Sequence, residues 1–505
     1  MKIKKIAIVG AGTAGWLAAN HLGSELQHED IQITVIESDK VPTIGVGEGT
    51  VPYIMTGLER FGISEAELLI SCDATFKQGI KFVNWMKPEQ EKEHFYYHPF
   101  DSPYPAGFDI SRHMSNLETS RPFDDVGIQA RICELGLAPK RKSSAEYQGD
   151  LAYAYHFDAA KFAKLLANNA IKKFNVNHVI ATILGAKKDS AGNITHLLTD
   201  EDSELAFDFY IDCSGFSSVL IEKELSVPFV KKDKELLTDT VLVQQVPISE
   251  SEALNPYTTA TAHKAGWVWD IPLTTRRGTG FVYSSQHMSE TEAKACYAKY
   301  LGVNEKDFSP RKIPMDIGYR ESFWQKNCVA LGLAQGFLEP LEATSILLSD
   351  FSAEMLAKNF PRTFSDIDCS YQYYNKVVTY AWERTVDFIK LHYCLSDRDD
   401  SDFWQQNREK DALSAELIQR LNKFKLRPPL QSDFFSRFDL FNEKNFLYVL
   451  YGMNFNTQKA ITSEKEQRHS EQLLEQNDQL VKQAANILLN HKEWLMALKA
   501  AMSER

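Results

Sequence analysis

The chain opens on an apolar run of β type over residues 4 to 9, stopped by Gly10, and Ala14 to Leu22 then carries the spacing of an amphipathic helix. A second alternating run from Ile31 to Ile36 ends in Glu37 and completes a βαβ unit. Residues 41 to 52 are a glycine- and proline-rich loop, too glycine-dense for a core element and suited to lie against a ligand or another backbone. Strand signals recur near 206 to 213, 240 to 246, 280 to 284 and 327 to 333, in a mixture that suits both parallel and antiparallel pairing. From about residue 361 the period changes to that of helices, with Thr379 to Leu391 and Gln467 to Lys499 placing Glu, Gln and Lys on the outer face. The pattern predicts an α/β body over 1–360 and a mainly α-helical cap over 361–505. No repeat or low-complexity linker separates them, so the cap is expected to pack on the body.

Composition narrows the function classes. With 505 residues, 44% hydrophobic and 25% charged, the chain can bury a large core around one active site. Lys plus Arg number 56 against 68 Asp plus Glu, a net charge of −12, which argues against nucleic acid or an anionic membrane as partner. Seven cysteines without a CxxC pair suggest neither a metal site nor a disulfide framework, and an odd count fits a reducing cytoplasm. No apolar run approaches the roughly 18 residues of a membrane span, and Met1 leads straight into a strand pattern without a signal peptide.

Gly10-Ala11-Gly12-Thr13-Ala14-Gly15 is a GxGxxG loop between a strand and a helix, the context a dinucleotide fingerprint requires. The first glycine permits the turn and the second lets backbone N–H groups approach a pyrophosphate. The third lets helix and strand pack closely. Glu37, at the end of the second strand, can accept from ribose hydroxyls. Two later segments favour FAD over NAD. Phe207 to Gly215 is an apolar strand carrying Asp212 into a small-residue turn, and Asn327 to Ala334 is a buried strand running into Gly332 and Leu333, where a cofactor can pass closely. The body is thus expected to be an FAD/NAD(P)-binding Rossmann-like domain of the flavoprotein monooxygenase (GR2) type, with a mixed-sheet substrate region interleaved.

Further segments are more specific. Trp267-Val268-Trp269-Asp270-Ile271-Pro272 is a complete WxWxIP; its two tryptophans face one side of a strand, and alone they read equally well as a core wall. Thr75 to Trp85 contains Lys77, which alone reads as a solvated strand lysine. Gly336 to Ser345 contains Glu342, Thr344 and Ser345; Gly45-Val46-Gly47-Glu48-Gly49 lies in the glycine-rich loop; His98 and Phe100 flank Pro99. Together they resemble the flavin-dependent halogenases, in the tryptophan and indole branch, over almost the whole chain.

That resemblance implies the following. FAD is supplied as FADH2 by a separate NADH-dependent flavin reductase, with O2 and a halide, bromide or chloride, as co-substrates. Hypohalous acid passes to Lys77 and halogenates an electron-rich aromatic ring, while Glu342 assists proton removal. Gly45, Val46, Gly47 and Glu48 form a mobile strap over the flavin. Trp267, Trp269, Ile271 and Pro272 wall the flavin side, the backbone at Thr344 and Ser345 holds halide, and His98, Phe100 and Phe441 clamp the ring. Ala343 and Ser345 replace the family's serine and glycine, which keeps bromide open as the preferred halide. The stretch Pro428 to Arg437 lacks the tyrosine pair and glutamate that hold free tryptophan, so indole or a larger indole compound is an equal candidate. A homodimer is common in the family. The competing readings are an FAD-dependent aromatic hydroxylase and a non-catalytic flavin-binding redox protein.

Overall fold

The computed structural model describes residues 2–40, 47–88, 92–114, 121–249 and 251–504, so Gly45 and Val46 lie outside the described residues. The first βαβ unit forms as the pattern predicts: strand Lys5–Val9, helix Thr13–Glu25 and strand Gln32–Glu37. These strands belong to a six-stranded sheet in which Cys328–Ala330, Phe209–Asp212, Lys5–Val9, Gln32–Glu37 and Asn177–Ile180 run parallel, and Trp324–Gln325 adds an antiparallel edge. The hydrophobic 209–212 and 328–330 segments fall at its centre because both of their faces are covered.

A seven-stranded sheet supplies the mixed region. In order it contains Arg311–Pro314, Thr240–Pro247, Arg276–Tyr283, Gly266–Pro272, Thr258–His263, Gly79–Val83 and Phe95–Pro99. All neighbours are antiparallel except Thr258–His263 with Gly79–Val83. A smaller sheet, Gly47–Gly49, Ala154–Asp158 and Thr75–Lys77, carries the lysine strand.

The first helix is buried almost throughout and packs against helices Ala159–Phe174 and Thr344–Lys358. The latter contact includes His21 Nε2 and Asp350 Oδ1 at 2.7 Å, both side chains buried. After Thr363 every described element is helical, led by the 29-residue Ile367–Leu395. The stretch of helical spacing over 467–499 is two helices, Glu464–Ile487 and His491–Ser503. Asn490 causes the break: its side-chain oxygen accepts from the N–H groups of Lys492 and Glu493, starting a new helix. One hydrophobic cluster extends from Ile3 to Leu495, through body and helical part alike.

Candidate active site

The glycine loop builds a cradle. Gly10 sits at φ +112°, and a Cβ there would fall 2.1 Å from Cys213 O, so only glycine fits between the first and central strands. A Cβ on Gly12 would meet nothing within 4 Å, which leaves the backbone open to an approaching phosphate. Gly12 also offers no side-chain cap to the helix it starts, so the first-turn N–H groups of Thr13 and Ala14 remain free for an anion. Gly15 packs against the carbonyl of Gly10 and closes helix onto strand. A cavity of about 510 Å³ begins here, lined by Gly10, Gly12, Thr13, Ala14, Glu37, Gly332 and Leu333. The Glu37 carboxylate lies 2.7 Å from His178 Nε2. A dinucleotide fits this cradle on its geometry.

The same cavity continues past Gly47, Glu48, Gly49, Trp269 and Ile271 to Lys77. Lys77 is 1% exposed, its backbone pairs with Ala154, and Nζ stands 5.4 Å from the centre of the Phe100 ring. Among the described residues Nζ has neither hydrogen bond nor ion pair. Burial pulls its ammonium down to about 8, against a weaker upward pull from the Glu342 charge. Burial likewise raises the Glu48 carboxyl to about 7. Behind Lys77, Phe76 N donates to His491 Nε2 at 3.0 Å, while His491 Nδ1 donates to Leu254 O at 2.9 Å.

Glu342 is buried and held by two histidines. His98 Nδ1 lies 2.9 and 3.0 Å from its two oxygens, and His392 Nε2 lies 2.8 Å from Oε1. Burial alone would raise this carboxyl; the charges and hydrogen bonds of His98 and His392 outweigh it and hold it at about 2. His98 is fixed from its other side by the Asn445 side-chain amide, 3.0 Å from Nε2. His392 Nδ1 donates to Phe388 O at 3.0 Å. Phe388 stacks on Phe441 with centroids 4.2 Å apart and meets His98 edge-on, so one aromatic cluster surrounds Glu342.

A model of the family described as tryptophan halogenase matches residues 5–467. The chain belongs to the tryptophan halogenase family. It is 33% identical to the tryptophan 6-halogenase SttH of Streptomyces toxytricini over 475 residues, 89% of each protein. It is 31% identical to the tryptophan 7-halogenase RebH of Lentzea aerocolonigenes over 480 residues, 90% of each. The crystal structure of a tryptophan halogenase from Shewanella frigidimarina superposes with a TM-score of 0.94 at 35% identity, covering 98% of both chains. The protein is therefore an enzyme, a flavin-dependent halogenase of a family that works with a separate flavin reductase. No helix among the described residues is long and apolar enough to cross a membrane.

Within this halogenase the residues expected from sequence divide by position. Trp269 and Ile271 line the cavity, whereas Trp267 is buried behind them and donates from Nε1 to Glu339 Oε2 at 3.0 Å. Pro272 lies outside the cavity lining and offers its carbonyl to Thr75. Ser345 lines the cavity and Thr344 is buried at the start of helix Thr344–Lys358. The N-cap of that helix, Ala343, has left-handed backbone (φ +56°) and no capping side chain. His98, Phe100, Glu342 and Phe441 stand outside the cavity lining. Sequence reasoning missed His392, Phe388 and Asn445. Each is a residue of an amphipathic helix, where a lone histidine, phenylalanine or asparagine carries no local signal.

Proposed function

We propose that this halogenase installs halogen on an electron-rich indole-type ring, using hypohalous acid guided to Lys77. The observation that carries the reading is the single cavity running from the glycine cradle to the buried, unpaired Lys77 ammonium. FAD would be held by Gly10, Gly12, Thr13, Ala14, Glu37, Gly332 and Leu333 with Glu48 beside it, and once reduced by the separate flavin reductase it would supply, with O2, the oxidising equivalents that turn halide into hypohalous acid. The chain's residues do the rest. Trp269 and Ile271 narrow the passage and keep the ring from the cofactor side. The uncapped amides at Thr344 and Ser345 hold the halide at a helix N-terminus. Lys77 donates a hydrogen bond to the acid and polarises it. The Glu342 carboxylate, kept ionised by its histidines, takes the proton from the halogenated ring. His98, Phe100 and Phe441 with Phe388 give flat apolar faces that orient the ring.

The relatives are named for tryptophan. In this chain the stretch Pro428 to Arg437 offers no tyrosine pair and no glutamate for an amino acid's charges, so indole or an indole within a larger molecule is as good a candidate as free tryptophan. Bromide is the preferred halide, because it is less tightly hydrated than chloride and easier to oxidise at a halide site altered by Ala343 and Ser345.

The test supplies the enzyme with FAD, a flavin reductase, NADH and O2, offers indole or tryptophan with bromide or chloride, and reads products by mass spectrometry. Brominated product is expected to dominate over chlorinated product. Lys77→Ala is expected to lose directed halogenation by about a thousandfold. Hydroxylated product independent of halide would overturn the reading, and equal chloride turnover would overturn the halide preference.

A further inference from the structure

Beside Lys77 runs a chain of hydrogen bonds that the reaction outlined above does not use. Thr75 Oγ1 donates to Pro272 O at 2.7 Å, and a carbonyl can only accept. The lone pair of Thr75 therefore faces His156 Nδ1, 3.1 Å away, and that nitrogen carries the ring proton. His156 Nε2, 2.9 Å from Thr258 Oγ1, is then the acceptor, and the Thr258 hydroxyl spends its one proton on it. All three side chains are buried. Burial, then the Lys77 charge, opposes protonation of His156 and keeps this order. Nothing but lone pairs remains on Thr258 Oγ for the cavity, which Thr258 lines together with Lys77.

Gly49 fixes how the two side chains face each other. A Cβ on Gly49 would stand 3.3 Å from Lys77 Nζ and 3.5 Å from Thr258 Oγ1, so a cationic donor and a pure acceptor flank one point of the cavity wall. The φ of Gly49 is ordinary, so its backbone does not demand glycine. Hypohalous acid, HO–X, is a small molecule whose oxygen accepts one hydrogen bond while its O–H donates another.

Resting on the reading of Lys77 above, we propose that Thr258 Oγ accepts the hydrogen bond of the hypohalous acid whose oxygen is held by Lys77. His156 is the positioning residue that aims the threonine lone pairs. The two contacts grip the oxygen end and leave the halogen end directed away from the wall. No bond forms or breaks in this grip; it fixes orientation before transfer to the ring.

The experiment compares Thr258→Val, Thr258→Ser and Gly49→Ala with wild type during turnover with reductase, indole and bromide. It measures ring-halogenated product against hypohalous acid leaking to a soluble scavenger. Thr258→Val is expected to lower captured over leaked oxidant about tenfold, Thr258→Ser to stay within about twofold of wild type, and the KM for indole to hold steady in both. Gly49→Ala removes no polar group yet fills the shared point, and a similar loss of capture is expected. Independently, ¹⁵N NMR of histidine-labelled, cofactor-free protein should find His156 neutral and protonated on Nδ1 from about pH 6 to 9. Wild-type capture by a folded Thr258→Val, or a His156 protonated on Nε2, would overturn the proposal. Directed halogenation surviving Lys77→Ala would instead overturn the reading on which it rests.

Discussion

Lys77 is held in its charged form at an energetic cost. Because burial pulls it down to about 8, the folded chain binds fewer protons than the unfolded one between that pH and the ordinary lysine range. Stability attributable to this group therefore rises with pH across that interval, and at pH 7 the whole penalty, about 3 kcal/mol, is present. Lys77→Met is expected to raise the denaturant midpoint at pH 7, with the gain shrinking near pH 10, while directed halogenation is lost. On the role proposed for Lys77, product formation in the wild type should fall as pH rises through about 8, where the ammonium gives way to the neutral amine. Glu342, held at about 2, stays ionised throughout and contributes no limb of its own. These two residues were legible because each sits in a distinctive local stretch. His392 and His156 were not, since what distinguishes each is a partner far along the chain: Glu342 for one, Thr75 and Thr258 for the other.

Helix Thr344–Lys358 joins several parts of the machinery. Its N-terminus faces the cavity, Asp350 meets His21 of the cofactor helix, and Glu354 binds Tyr53 and Arg60 of helix Tyr53–Phe61, which follows the strap. Ala343→Asp would place a carboxylate against the free amides at its start. The halide KM is expected to rise about tenfold while the indole KM holds, and an unchanged far-UV circular dichroism spectrum separates weaker halide use from unfolding. The elements themselves were largely readable: the βαβ unit and the buried strands follow from apolar runs and glycine stops. The break at Asn490 was not, because polar periodicity continues across it and the capping oxygen decides the matter. Nor could the pairing of Thr258–His263 with Gly79–Val83, which places Thr258 beside the lysine strand, be read from either strand alone.

Across the whole molecule, buried neutral histidines set the acid limit of stability. Burial depresses His263 and His491 to about 4 and His156 well below its ordinary value. Between about 6.5 and 4 the unfolded chain takes up protons that the folded chain refuses, so stability falls as pH falls through that window. Thermal melts should show a steep loss below about pH 6, and His491→Gln, which loses the titration, should flatten that slope even though its starting stability is lower. The helical part packs on the α/β part through one shared hydrophobic cluster. The sequence pattern changes near 361, yet hydrophobic packing continues from Ile3 to Leu495 and His491 holds the backbone next to Lys77. That last contact spans 415 positions. A ribosome adding about 5–20 residues per second would release the lysine strand roughly 20 to 80 s before its partner exists. The nascent chain thus leaves the strand that carries Lys77 without this partner until residue 491 has been made.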